Sequence, residues 1–243
     1  MGNVLVVAAP GEHMNTAVVT GASRGVGEAV ARRFAAEGVH VVLCARTEAE
    51  ITGVAEDIAG DGSEATAVRA DVRDEYDTER LMETAARAGD AGGIDCVVAN
   101  AGVYHGAPGG TPLSEATYSA FDDALRTNVR GVFTTIREAV PHLTADSRAF
   151  VPSGAIARDA KPGFGAYAVS KAGAEAVARQ FAAELEHPVG VLDPGQLSTD
   201  LTGNGPGRDP ADVAGMVLWA AGLPDEELNG EVLDLRAWKT ATR

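Results

Sequence analysis

Tyr167 and Lys171 stand four residues apart within Gly165 to Glu186, a stretch whose apolar residues recur at three and four, so both side chains project from one helix face about a turn apart. A neighbouring ammonium favours tyrosinate and draws down a phenol pKa that starts at about 10. Such a pair gives or takes a proton close to neutrality. An ordinary amphipathic helix has the same spacing, so the pair acquires meaning only from its neighbours. One neighbour lies near the start of the chain, where Thr20-Gly21-Ala22-Ser23-Arg24-Gly25-Val26-Gly27 follows a Val-rich run and opens a helical stretch. Glycines there permit a tight turn and a close backbone approach, while the helix N-terminus offers free N–H groups and partial positive charge to a pyrophosphate. The spacing is Gly-x3-Gly-x-Gly, so the generic Gly-x-Gly-x-x-Gly dinucleotide fingerprint is met only approximately.

The elements that must position these residues follow from the patterning. Short runs rich in Val, Leu and Ala alternate with longer stretches of helical period, which calls for a parallel sheet covered on both faces. Strands are expected at Ala17 to Val19, His40 to Ala45, Ala65 to Arg69, Ile94 to Ala99, Arg148 to Val151, Val189 to Leu192 and Glu231 to Leu235. Helices are expected over Gly25 to Glu37, Ala49 to Ala59, Tyr76 to Ala88, Glu115 to Leu143, Gly165 to Glu186 and Pro210 to Ala221. The fold class is therefore α/β: one doubly wound Rossmann domain, residues 16–243, on a seven-stranded parallel sheet. Met1 to Asn15 has no basic start before its short apolar run and reads as a disordered extension or a misplaced start, Met14 standing just before the first strand.

The octet resembles the Thr-Gly-x3-Gly-x-Gly motif of the short-chain dehydrogenase/reductase family. Asn100-Ala101-Gly102, Tyr167-x3-Lys171 and Pro194-Gly195 followed by Thr199 extend the resemblance over nearly the whole chain. It implies an oxidoreductase that interconverts a ketone or aldehyde with an alcohol, like a 3-oxoacyl reductase or a general carbonyl reductase. Tyr167 is then the acid/base, Lys171 its tuner, and Asn128 the helix asparagine that holds a water linked to the lysine. The cofactor contacts implied are Gly21, Ser23, Arg24, Gly25, Val26 and Gly27, Asp71 with Val72 at the adenine, Asn100, Ala101 and Gly102, Tyr167 and Lys171, and Pro194, Gly195 and Thr199 at the nicotinamide. Asn100 is expected to tie the central strands together. The family's oxygen-binding Ser precedes the Tyr by 13 residues, a position held here by Gly154. Ser153, 14 residues ahead, is expected to take the role, with the loop Gly154 to Ala166 absorbing one extra residue. Pairing through the two long helices implies a homodimer or homotetramer.

Charge selects the cofactor and excludes partners. An acidic residue ending the second strand bonds a ribose hydroxyl, whereas arginine accepts a 2'-phosphate. That slot holds Ala45, Arg46 follows it, and Arg24 lies in the glycine turn, so NADP(H) is preferred while NAD(H) stays open. With 35 acidic against 20 basic side chains, the formal charge of -15 argues against nucleic acid and anionic membranes as partners, leaving a small carbonyl or alcohol substrate. No histidine cluster has metal-ligand spacing. Of the 20 basic residues only Lys161, Lys171 and Lys239 are lysines, which fits either a high-salt cytoplasm or a GC-rich genome. Cys44 and Cys96 fall in apolar runs and fit a reducing, cytoplasmic setting. Two other readings stay open: a dinucleotide-sensing protein without catalysis, and a dehydration on the same fold.

Overall fold

A computed structural model describes residues 14–89 and 92–243. The extension up to His13 lies outside them, but its last two residues belong to the fold. Met14 packs against the core, and the backbone N–H of Asn15 donates to Asp95 Oδ2 at 2.7 Å.

Seven short runs of buried β-branched and small residues form strands, β1 (Thr16–Thr20), β2 (His40–Ala45), β3 (Ala65–Arg69), β4 (Ile94–Val98), β5 (Leu143–Pro152), β6 (Val189–Asp193) and β7 (Val232–Asp234). They pair in the order β3-β2-β1-β4-β5-β6-β7, every pair parallel. This is the expected seven-stranded parallel Rossmann-like sheet in one domain. Side chains alternate across it, so Ala17, Val19 and Leu43 meet α1 (Gly25–Ala36), α2 (Glu48–Gly60) and α7 (Gly215–Ala221) on one face. Val18, Val42 and Val97 meet α3 (Glu75–Ala88), α5 (Gly131–Ala139) and α6 (Gly165–Glu184) on the other. Cys44 and Cys96 are free thiols at 0% exposure, and burial pushes Cys44 up to about 12. Both are inert core residues. Because β1 and β4 are neighbours while their connections leave in opposite directions, a crevice opens beyond their carboxyl ends.

Three expectations need correction. The helix expected over Glu115 to Leu143 starts later and ends earlier: after a 3-10 turn at Leu113–Glu115, α4 (Tyr118–Leu125) runs without interruption through a π turn at Arg126–Arg130 into α5. After α5 and a further 3-10 turn at Val140–His142, β5 begins at Leu143. Thr117 caps α4, its hydroxyl accepting from Ala120 N at 3.2 Å, and Pro141 lacks the N–H to continue the helix. The helix expected over Pro210 to Ala221 splits into a 3-10 turn at Pro210–Asp212 and α7. Finally, the last strand stops at Asp234, because its carboxylate accepts from Ala237 N at 2.7 Å and starts a helix. After α8 (Asp225–Leu228) the chain thus ends with α9 (Leu235–Ala241), neither expected.

Candidate active site

The glycine turn and the Asn-Ala-Gly segment are tied across the β1–β4 boundary. Thr20, fully buried at the end of β1, accepts the N–H groups of Asn100 and Ala101 at 3.0 and 3.1 Å. Asn100 Nδ2 returns bonds to Thr20 O and Gly21 O at 2.9 and 3.1 Å. Asn100 is therefore the strand tie that the sequence implied. Gly21 has φ +65°, and a Cβ there would stand 2.7 Å from Ala101 Cα; at Gly27 a Cβ would come within 2.5 Å of Asn100 Nδ2. Only glycine permits this approach.

Arg24 precedes α1 without offering its first-turn amides a side-chain acceptor, which leaves them for an anionic ligand. A Cβ on Gly25 (φ +61°) would lie 3.6 Å from Thr199 Cγ2, so the turn faces the segment after Pro194-Gly195. Uncapped amides, a glycine cradle and a facing threonine fit a dinucleotide pyrophosphate. The two arginines differ. Arg24 sits 3.9 Å from Glu50 and 3.7 Å from Asp200, whereas Arg46, exposed just past β2, has no ion pair among the described residues. Asp71 is engaged by Arg73, whose Nη2 approaches at 2.7 Å. Burial opposes its charge, but these bonds hold the carboxyl below its ordinary value. Val72 beside it is buried against Gly131. Thr199 shares a 3.2 Å hydroxyl contact with Thr202.

α6 carries Tyr167 and Lys171 to the carboxyl end of β5. Lys171 Nζ donates to Pro152 O at 2.8 Å and lies 5.9 Å from the Tyr167 ring centroid. Burial lowers Lys171 to about 8 against the opposing pull of Glu175. Tyr167 departs from the expected lowering: burial pushes its phenol up to about 12, and Tyr104, whose ring centroid is 4.6 Å away, adds to the rise. Desolvation outweighs an ammonium that is aimed at a backbone carbonyl instead of the phenol. Both tyrosines border a cavity of about 240 Å³ between α4, the start of α6 and the loop after β4.

Ser153 ends β5 as expected, but its hydroxyl donates to Glu175 Oε1 at 2.7 Å, and no hydrogen bond joins it to Tyr167 among the described residues. Gly154 next to it is extended (φ −171°), and a Cβ there would meet nothing within 4 Å. Asn128 is 1% exposed within the π turn, accepting from Val103 N at 2.7 Å and donating to Val103 O and Ser170 Oγ at 2.9 and 2.8 Å. Ser170 in turn donates to Tyr167 O at 2.8 Å, so Asn128 steadies the backbone bearing the phenol. The sequence motifs assign no role to Tyr104, Arg158, Ser170, Glu175 and Asp193. Of these, Glu175 carried a signal, a charge eight residues after Tyr167 on the same face of its helix.

Residues 15–207 match the family model described as short chain dehydrogenase. The short chain dehydrogenase/reductase AacuN of Aspergillus aculeatus is 35% identical over 190 residues, 76% of this chain and 70% of that protein. Glycine betaine reductase ATRR of Emericella nidulans is 30% identical over 239 residues, 89% of this chain, which spans only 18% of its length. Among solved structures, a dehydrogenase/reductase from Sinorhizobium meliloti 1021 is 32% identical with a TM-score of 0.82, covering 94% of this chain and 96% of that one. An alcohol dehydrogenase from Thermococcus sibiricus complexed with 5-hydroxy-NADP is 29% identical with a TM-score of 0.81, covering 91% and 96%. The chain belongs to the short-chain dehydrogenase/reductase family, a class of oxidoreductases whose fold takes a nicotinamide dinucleotide. No helix among the described residues is long and apolar enough to cross a membrane.

Proposed function

We propose that this chain is an NADP(H)-dependent oxidoreductase acting on a small ketone or aldehyde and the corresponding alcohol. The observation that carries the reading is the meeting of Tyr167 and Lys171 at the carboxyl end of β5, in the same crevice as the glycine turn. Bound there, the nicotinamide supplies or accepts the hydride. Tyr167, protonated at neutral pH, gives its proton to the carbonyl oxygen as negative charge develops on it. Lys171, fixed by Pro152 O, supplies positive charge beside the phenol, and Asn128 holds the helix through Ser170.

Arg46 supports the preference for NADPH, since an exposed guanidinium past β2 with no ion pair among the described residues suits a 2'-phosphate. The NADP-type ligand of the Thermococcus enzyme points the same way. Arg24 is the weaker candidate because Glu50 and Asp200 compete for it. Self-association is supported by exposed apolar side chains on α5 and α6, where Phe133 stacks on Phe181 at 6.0 Å and Val169 is exposed; a monomeric mass in solution contradicts it.

Consumption of NADPH and of NADH against a panel of small carbonyls, in low and in high salt, tests the assignment. Tyr167→Phe should lose turnover and keep NADPH affinity; retention of most of the rate sinks the reading. A second reading, dinucleotide binding without catalysis, draws on the engaged Ser153 hydroxyl and the bare Gly154. It is distinguished by tight NADPH binding with no turnover on any carbonyl.

A further inference from the structure

Beneath the catalytic pair lies a buried charge cluster that neither the family motifs nor the proposed reaction uses. Tyr167, Lys171 and Glu175 follow each other at four-residue steps, so phenol, ammonium and carboxylate line up along one face of α6. Glu175 is 1% exposed. From β5, Ser153 Oγ donates to its Oε1, and from the turn after β5, Arg158 Nη1 bonds the same oxygen. The other arm of Arg158 reaches Asp193 at the end of β6, whose Oδ1 accepts from Gly195 N at 3.0 Å. On α6 itself Arg179 stands 3.9 Å from Oε2. One guanidinium thus joins the ends of β5 and β6 to α6, and one of the bridged carboxylates stands a turn beyond Lys171.

We propose that Glu175 is a positioning residue for the catalytic pair, keeping Lys171 an ammonium, and that Arg158 sets how much of the Glu175 charge the lysine feels. The physical case is that burial works against the ammonium, pulling Lys171 to about 8, and Glu175 is the charge that opposes it. Among the described residues the other charged and titratable groups of the cluster are Arg158 and Arg179 on Glu175, Asp193 on Arg158, and the ring of Tyr104 against Tyr167. Without Glu175 the lysine loses its counter-charge. Without Arg158 two acidic groups remain and the counter-charge grows. The two changes therefore push Lys171 in opposite directions, whereas simple loosening of the structure hydrates it and raises it towards its ordinary value in both cases. The functional meaning rests on the oxidoreductase reading; the titration of Lys171 does not.

The test is ¹³Cε NMR titration of the cofactor-free protein labelled at lysine, which has only Lys161, Lys171 and Lys239; Lys171→Met identifies the signal. Glu175→Gln is expected to lower the Lys171 midpoint by about one pH unit, Arg158→Gln to raise it, and Arg158→Lys to restore it. The alkaline limb of the pH profile for carbonyl reduction should move in the same order. An unmoved midpoint in Glu175→Gln, or movement of both variants in one direction, overturns the proposal. If Glu175→Gln does not fold, the triple change Glu175→Gln with Arg158→Met and Asp193→Asn removes the network together with one net negative charge, and the midpoint must still fall. A wild type that consumes no NADPH while its lysine titrates as described refutes the function and leaves the positioning intact.

Discussion

Ser153 donates its hydroxyl to Glu175 at 2.7 Å, which turns the one serine at the end of β5 onto α6. The neighbouring Gly154 is extended with open space where a Cβ would stand, so a serine there fits without backbone strain. Loss of one donor to a developing oxyanion costs about 100- to 1000-fold in kcat. Gly154→Ser should therefore raise kcat for carbonyl reduction by about tenfold or more at nearly constant NADPH affinity. Ser153→Ala should change kcat by less than about tenfold and lower stability by about 1 kcal/mol, the worth of one hydrogen bond. Steady-state kinetics with thermal melts check both, and a larger kcat loss in Ser153→Ala than Gly154→Ser can offset returns the oxygen-binding role to Ser153.

The raised phenol gives the two directions of reaction different pH dependence. Tyr167 stays protonated until about 12, so carbonyl reduction keeps its proton donor across the neutral range. It slows as Lys171 loses its proton above about 8. Alcohol oxidation needs the phenolate, whose fraction grows roughly tenfold per pH unit below that midpoint, so its kcat should climb from pH 7 to 10. Initial rates in both directions at saturating cofactor decide it, and parallel profiles count against a buried neutral phenol.

The same lysine has a signature in stability. Its folded pKa lies below the unfolded value, so between about 8 and 10.5 the unfolded chain still binds the proton that the folded protein has released. Wild-type stability should thus rise with pH across that window relative to Lys171→Met, by an amount on the order of 1 to 3 kcal/mol. Below pH 8 the ammonium is buried at a cost and the difference is constant. Denaturant midpoints at pH 7 and 10 for both proteins measure it; equal slopes mean that Lys171 is well solvated.

How legible the molecule was from its residues depended on the range of the forces involved. The alternation of β-branched runs and helical periods reported the sheet, because burial on both faces leaves a local imprint at every strand. Glycine positions were legible for a similar reason, since Gly21 and Gly27 are fixed by backbone approaches that no other residue permits. The π turn at Arg126–Arg130 was not legible, because the bonds Asn128 makes from it reach Val103, 25 residues away in the chain. The partner of Ser153 was not legible for a like cause, since its hydroxyl donates to a buried carboxylate on another element.

Cofactor selection turns on the difference between the two arginines. Arg46 makes no ion pair among the described residues and feels only the field of Asp71, so a 2'-phosphate would gain a charge-assisted contact there, worth about 1.5 to 3 kcal/mol. Arg46→Ala should weaken NADPH binding about 10- to 100-fold and leave NADH unchanged. Arg24→Ala should cost NADPH less, since Glu50 and Asp200 already offset that charge. Fluorescence titration of both cofactors on both variants checks the ranking, and an equal loss for NADH in Arg46→Ala removes the phosphate from the account.

Asn100 joins the turn to the sheet with two donors, and the two available substitutions separate packing from polarity. Asn100→Ala removes the Nδ2 bonds to Thr20 O and Gly21 O behind the turn, a loss of about 1 to 3 kcal/mol that lowers Tm by roughly 2 to 4 °C per kcal/mol in a chain of this size. Asn100→Asp is nearly isosteric but replaces the amide donor with an oxygen facing two carbonyl oxygens, so it should destabilise more than alanine does. It also sets negative charge behind the anion-binding end of α1, so NADPH affinity should fall further than in Asn100→Ala. Melting curves and NADPH titrations on the pair give the order; an aspartate variant as stable as the alanine one means the Nδ2 bonds are not what holds the turn against β4.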